Sequence, residues 1–165
     1  MTLAVVVLAL VTAQRLGELV LADRNTRRLR RQGAVETGAG HYPFIIALHA
    51  SWLLGLWVLA RDRSVNLPLL TVFVALQAAR VWVIATLGPR WTTRIITLPG
   101  VPLVRKGPYR LLSHPNYAVV VAEIALLPLA FGLWGYAVVF TLLNAAMLWV
   151  RIRSESGALA AATPE

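Results

Sequence analysis

Between the third and fourth of five apolar stretches lies a segment dense in polar and ionisable groups, Lys106-Gly107-Pro108-Tyr109-Arg110-Leu111-Leu112-Ser113-His114-Pro115-Asn116-Tyr117. His114 offers an imidazole, and Tyr109 and Tyr117 each offer a ring face and a hydroxyl. After the fifth stretch, Arg151 and Glu155 stand four residues apart. A helix continuing past the membrane would set this cation and this acid on one face, at the mouth of the bundle. A third set, Arg15, His49, Arg80, Glu123 and Asn144, falls inside the apolar stretches, where a polar group is costly unless it is paired or faces a cavity. His114 and Glu123 are the candidate proton acceptors. Metal chemistry is not expected: His41, His49 and His114 have no companion carboxylates at ligand spacing, and cysteine is absent.

The elements that must carry these groups are set by composition. With 58% hydrophobic and 14% charged residues over 165 positions, the chain has too much apolar surface for one small soluble core. A helix needs about 20 residues to cross the hydrocarbon layer. Runs that suit this lie at about 2–22, 41–60, 67–87, 115–132 and 134–150, which predicts an all-α, five-span membrane bundle forming one domain over 1–165. The first run lacks a basic leader and is interrupted by Gln14-Arg15, so it is expected to be retained rather than cleaved.

The stretch 23–40, rich in Arg and Gly, is expected to be an irregular connection. The short turn Arg61–Asn66 predicts an antiparallel hairpin of spans two and three, and Gly132–Gly135 a tighter one between spans four and five. Pro115 suits a first helical turn, and Pro128 is expected to kink the fourth span. Pro89, Pro99, Pro102 and Pro108 deny 88–107 a continuous helix, so it is expected to wrap over the mouth of the bundle.

The net charge of +9 reads as a topology signal. Arg24, Arg27, Arg28, Arg30 and Arg31 follow span one, Arg90, Arg94, Arg105, Lys106 and Arg110 follow span three, and Arg151 and Arg153 follow span five. Only Arg61 and Arg63 fall in the alternate loop. Positive residues stay in the cytoplasm, so the N-terminus is expected outside and the C-terminus inside. Nucleic acid is not an expected partner, since no soluble face interleaves basic and aromatic residues.

Counted inward from the Arg-rich end, Arg15, His49, Arg80, Glu123 and Asn144 all lie six to eight residues deep, about 10 Å at the helical rise. One polar layer shared by five helices is predicted. Arg15 can meet Glu18 on its own helix, and Arg80 with Glu123 is the best-matched cross-helix pair. The layer is either a glue that keeps the helices in register or the floor of an active site.

Taken together, Gly107-Pro108-Tyr109-Arg110, His114-Pro115-Asn116-Tyr117 and Arg151-Ile152-Arg153-Ser154-Glu155 resemble the isoprenylcysteine carboxyl methyltransferase family of integral-membrane methyltransferases, over roughly 88–160. Gln14-Arg15-Leu16-Gly17-Glu18 and His41-Tyr42-Pro43 are similar to the small bacterial branch, some members of which are associated with O-methylation of long-chain polyketides. The chain departs from the usual pattern at Ser113, Val119 and Ser156.

The resemblance implies S-adenosylmethionine as cofactor. It would be held by the backbone of Val101, Pro102, Leu103 and Val104, by Tyr109, by His114, Pro115, Asn116 and Tyr117, and by Glu155, with Arg151 facing the acceptor. These side-chain types suit a ligand carrying a sulfonium, an α-carboxylate and a ribose diol. The expected activity is methylation of a carboxylate, enol or phenol oxygen on an amphiphilic acceptor drawn from the bilayer of a bacterial cytoplasmic membrane, with Arg151, His114 and Glu123 nearest the chemistry. Phospholipid N-methylation, or a non-enzymatic carrier or assembly protein on the same scaffold, are the alternatives.

Overall fold

A computed structural model describes residues 2–162, and these are mostly helical. Helix α1 runs Leu3–Arg31, α2 Tyr42–Leu59, α3 Leu67–Leu87, α4 Pro115–Ala130 and α5 Trp134–Ala162. Their starts follow local chemistry. Thr2 Oγ1 accepts from the Val5 amide and Asn66 Oδ1 from the Leu69 amide, satisfying donors that a first turn leaves open. Pro43, Pro68 and Pro115 occupy first-turn positions, where a missing N–H costs nothing.

Four of these helices are long and apolar enough to cross a membrane, which makes the chain an integral membrane protein. The expected span 115–132 is shorter: α4 has 16 residues, or about 24 Å against a hydrocarbon layer of about 30 Å. It ends at Ala130 because Pro128 lies in its last turn and Gly132 (φ 71°) reverses the chain. Asn66 caps this end too, its amide donating to the Ala130 carbonyl at 2.8 Å. Helix α4 is nonetheless central. It packs between α3 and α5 and buries Val119, Glu123, Ile124 and Leu127.

Two other expectations are corrected. Residues 23–31 are not an irregular loop but the last turns of α1, since leaving the membrane does not end a helix made of Arg and Leu, and Asp23 and Arg27 pair across one turn at 2.6 Å. The helix stops at Gln32, just before Gly33 (φ 87°). The second correction concerns α2 and α3: despite the short turn joining them, α2 packs on α1 and α5 while α3 packs on α4.

The fold also contains a small sheet. Strand β1 (Val35–Thr37) pairs antiparallel with β2 (Ile95–Thr97), with Glu36 opposite Ile96. It is fastened to α1 by Glu36, which accepts from Arg30 and, at 2.6 Å, from Arg94. Burial alone would raise the Glu36 carboxyl, but the bonds and charges of Arg94 and Arg30 outweigh it and hold the group below its ordinary range.

The apolar core lies at the end opposite the Arg-rich one. Leu8, Trp52, Leu56, Phe73, Ile124 and Leu127 fill it. Trp52 Nε1 donates to the Ile124 carbonyl, and Tyr136 donates to the Trp52 carbonyl at 2.8 Å, so buried polar atoms there are answered. The Arg-rich half of the bundle is hollow.

Candidate active site

The hollow is a cavity of about 290 Å³ lined by all five helices and by Trp91 and Thr93 of the segment that follows α3. Its walls are apolar, with Leu16 and Leu19 of α1 and Ile45, Ile46 and Leu53 of α2. Leu16, Leu19 and Ile46 line the cavity and are exposed. Trp57 Nε1 of α2 donates at 3.0 Å to Oγ1 of Thr12, a lining residue of α1, and ties the two helices together.

All five residues of the predicted polar layer line the cavity, and three of them, Arg15, Arg80 and Glu123, join Glu18 in a bonded floor. Arg80 Nε and one terminal nitrogen donate to the two oxygens of Glu18, both at 2.6 Å, and its other nitrogen donates to Glu123 at 2.9 Å. Arg15 spans the same two acids, at 3.1 Å to Glu18 and 2.8 Å to Glu123. Gln77 donates to the remaining Glu123 oxygen at 2.8 Å. Two cations and two carboxylates thus close into a neutral ring across α1, α3 and α4. The expected Arg80–Glu123 and Arg15–Glu18 pairs are both present. Sequence reasoning missed the Arg80–Glu18 fork, because helical spacing relates Glu18 to Arg15 but not to a residue on another helix. Glu123, with both oxygens engaged, is a hub of this ring.

Nearer the Arg-rich surface, α4 and α5 bring four of the predicted site residues together. Tyr117 donates from its hydroxyl to Glu155 Oε2 at 2.5 Å and accepts from Arg151 Nε at 2.8 Å. The His114 ring stacks on Tyr117, with centroids 5.2 Å apart and planes 13° from parallel, and its Nδ1 lies 3.7 Å from Glu155. This is possible because α5 continues past its apolar part, which sets Arg151 and Glu155 on the face turned to the start of α4. Asn116, Tyr117 and Arg151 line the cavity. Asn116 Oδ1 is buried there with no hydrogen-bond partner among the described residues. Tyr109 lies close by, in a short turn at Gly107–Arg110, and burial with the Glu155 charge pushes its hydroxyl up to about 12.

The segment after α3 roofs this site in part. Trp91 is buried, Asn25 of α1 donates to its carbonyl at 2.8 Å, Tyr42 meets Thr93 through their hydroxyls at 2.8 Å, and the Arg94 guanidinium covers the Tyr42 ring at 4.1 Å. Of the segment 88–107 expected to wrap over the mouth, Trp91 and Thr93 line the cavity. Val101, Pro102, Leu103 and Val104 continue outward without regular structure and are not part of the cavity lining; Arg90 donates to the Pro102 carbonyl at 2.8 Å. Trp91, Thr93 and Asn25 were not legible as site residues, since nothing in their own spacing distinguishes them from loop and helix-end positions.

Residues 69–161, more than half of the chain, match the model of the isoprenylcysteine carboxyl methyltransferase family, and the matched region holds the whole Tyr109 to Glu155 constellation. A Bacillus subtilis (strain 168) relative described as the uncharacterized protein YpbQ is 40% identical over 157 residues, covering 92% of this chain and 94% of the relative. No solved structure matches. By the family match and by the helices that carry it, this chain belongs to the isoprenylcysteine carboxyl methyltransferase family of membrane methyltransferases.

Proposed function

We propose that the protein transfers a methyl group from S-adenosylmethionine to an oxygen of a lipid-like acceptor that enters from the bilayer. The observation that carries this reading is the junction of Arg151, Tyr117 and Glu155 at the edge of an apolar cavity set at membrane depth. Such a junction offers a charged, hydrogen-bonding ligand one side and a greasy ligand the other.

The residues present fit the cofactor. Glu155 and the stacked His114 and Tyr117 rings suit a cationic group. The unpartnered Asn116 Oδ1 is an acceptor ready for an amino or hydroxyl donor. These residues, with Tyr109 and the backbone fixed by Pro115, would hold it, and the part of Val101, Pro102, Leu103 and Val104 rests on the family resemblance alone. When bound, S-adenosylmethionine supplies an electrophilic methyl on a sulfonium. Arg151 faces the cavity and would orient the acceptor's polar end, while the α1 and α2 walls take its chain. The neutral floor ring ties α1, α3 and α4 together beneath the site, and the protein contributes alignment and exclusion of water. In the orientation that the basic residues favour, with the Arg-rich end in the cytoplasm of a bacterial cell, the mouth opens to the cofactor pool.

Purified protein incubated with methyl-tritiated S-adenosylmethionine and bacterial lipid extract tests this. Tritium should enter the organic phase, and Glu155→Gln should reduce the incorporation. No incorporation into lipid, long-chain acid or long-chain phenol would contradict the reading.

A further inference from the structure

Several residues that line the cavity keep polar atoms without a partner among the described residues, Trp91 Nε1 at the roof and Asn116 Oδ1 beside the junction among them, and two more belong to the membrane-depth layer. His49 Nδ1 lies 2.9 Å from the Ile45 carbonyl one turn back on α2. A carbonyl only accepts, so Nδ1 carries the ring proton in the neutral imidazole and Nε2 keeps a lone pair. Among the described residues nothing hydrogen-bonds Nε2. Asn144 of α5 lines the same cavity, is 1% exposed, and its Nδ2 donor is buried without a partner. On α2 and α5, then, an open acceptor and an open donor belong to residues that line one ligand space. Natural interiors pair such groups, and a ligand is what would pair these.

We propose that His49 is the proton acceptor of the reaction, that Asn144 is the donor that seats the acceptor's head group, and that the acceptor is a weakly acidic hydroxyl rather than a carboxylate. This rests on the methyl-transfer reading above. Neither previously considered base competes well: both Glu123 oxygens already accept from Arg15, Arg80 and Gln77, and His114 lies in the cluster with Tyr117 and Glu155. A hydroxyl can donate to His49 Nε2 while accepting from Asn144 Nδ2. A carboxylate needs no base and would turn lone pair against lone pair at Nε2. In the step, the hydroxyl proton passes to Nε2 and the oxygen pair forms the new O–C bond to the methyl carbon. The S–C bonding pair stays on sulfur, which becomes a neutral thioether, and the imidazolium then releases its proton to water.

The test uses the full chain in detergent, S-adenosylmethionine, and two acceptors of similar length, 3-pentadecylphenol and hexadecanoic acid. His49→Asn keeps an amide near the Ile45 carbonyl and removes the base. It should lower kcat on the phenol ~100-fold, the usual worth of a positioned base, with S-adenosylmethionine affinity kept and the acid little affected. The wild-type rate on the phenol should rise with pH along one protonation limb that the variant lacks. That limb is read among the charged and titratable groups facing His49, namely Arg15 and Glu18 of α1, Tyr42 of α2, Arg80 of α3, Glu123 and Tyr117 of α4, and Arg151 of α5. Asn144→Leu should raise KM for the phenol with a smaller change in kcat. If His49→Asn does not fold, His49→Gln, which also lacks a titratable group, carries the same expectation. An unchanged phenol rate, an equal loss on both acceptors, or a wild type that does not methylate the phenol overturns the inference. A wild type that fails to bind S-adenosylmethionine overturns the methyl-transfer reading instead.

Discussion

Arg80 of α3 holds Glu18 of α1 by a two-pronged fork, both bonds 2.6 Å long, and reaches Glu123 of α4 with its third nitrogen. A planar guanidinium can satisfy two carboxylates at once in this way, and an ammonium cannot. The side chain is 7% exposed and Glu123 is 1% exposed, so loss of either leaves a charge in a poor dielectric. Arg80→Leu and Glu123→Leu should each cost about 3–5 kcal/mol. The double variant should recover much of this, because Arg15 and Glu18 remain as a neutral pair. Thermal unfolding of the four proteins in detergent measures the coupling, and additive losses would contradict the ring.

That ring also shows what the sequence made legible and what it did not. Depth along each apolar run was enough to gather Arg15, His49, Arg80, Glu123 and Asn144 into one cavity, because the helical rise is fixed. The choice of Glu18 as Arg80's stronger partner depends on how each helix is rotated, which packing decides and spacing does not. The strands β1 and β2 are three residues each, too short for a period-two pattern to stand out from an Arg- and Gly-rich connection. The Arg151 and Glu155 face was legible from their spacing, and the hydroxyl of Tyr117 between them emerged only with the fold.

The Tyr117 hydroxyl links Arg151 to Glu155, so Tyr117→Phe should loosen both while keeping the ring that stacks on His114. Loss of hydrogen bonds to charged partners is worth about 1.5–3 kcal/mol, or roughly ten- to hundredfold in S-adenosylmethionine affinity. Arg151→Ala should instead lower acceptor turnover more than cofactor affinity. Ligand-induced thermal shift and methyl-transfer kinetics on both variants separate the two effects.

Glu36 ties the small sheet to α1, and its carboxyl is held below the ordinary value of 4.5. Between that value and the lowered one the unfolded chain binds more protons, so this contribution is full above about pH 4.5 and is lost as pH falls through the folded value. Acid should therefore release β1 and β2 before the helices melt. The protection of the Glu36 and Ile96 amides, taken as exchange relative to the intrinsic rate at each pH from pH 6 to pH 3, should fall at the acid end, and Arg94→Gln should flatten that dependence.

Orientation is checked by single cysteines in a chain that has none of its own. In whole cells, an impermeant thiol reagent should label Ser64→Cys and leave Arg28→Cys untouched. Labelling of Arg28→Cys would place the mouth of the cavity on the wrong side for a cytoplasmic cofactor.

The most direct test of the central claim is isothermal titration of S-adenosylmethionine into the detergent-purified protein. The account predicts saturable heat at one site per chain, with a dissociation constant between about 1 μM and 1 mM as is usual for enzyme substrates, and a weaker value for Glu155→Gln. Absence of heat together with absence of a thermal shift, or equal affinity in Glu155→Gln and the wild type, would contradict it.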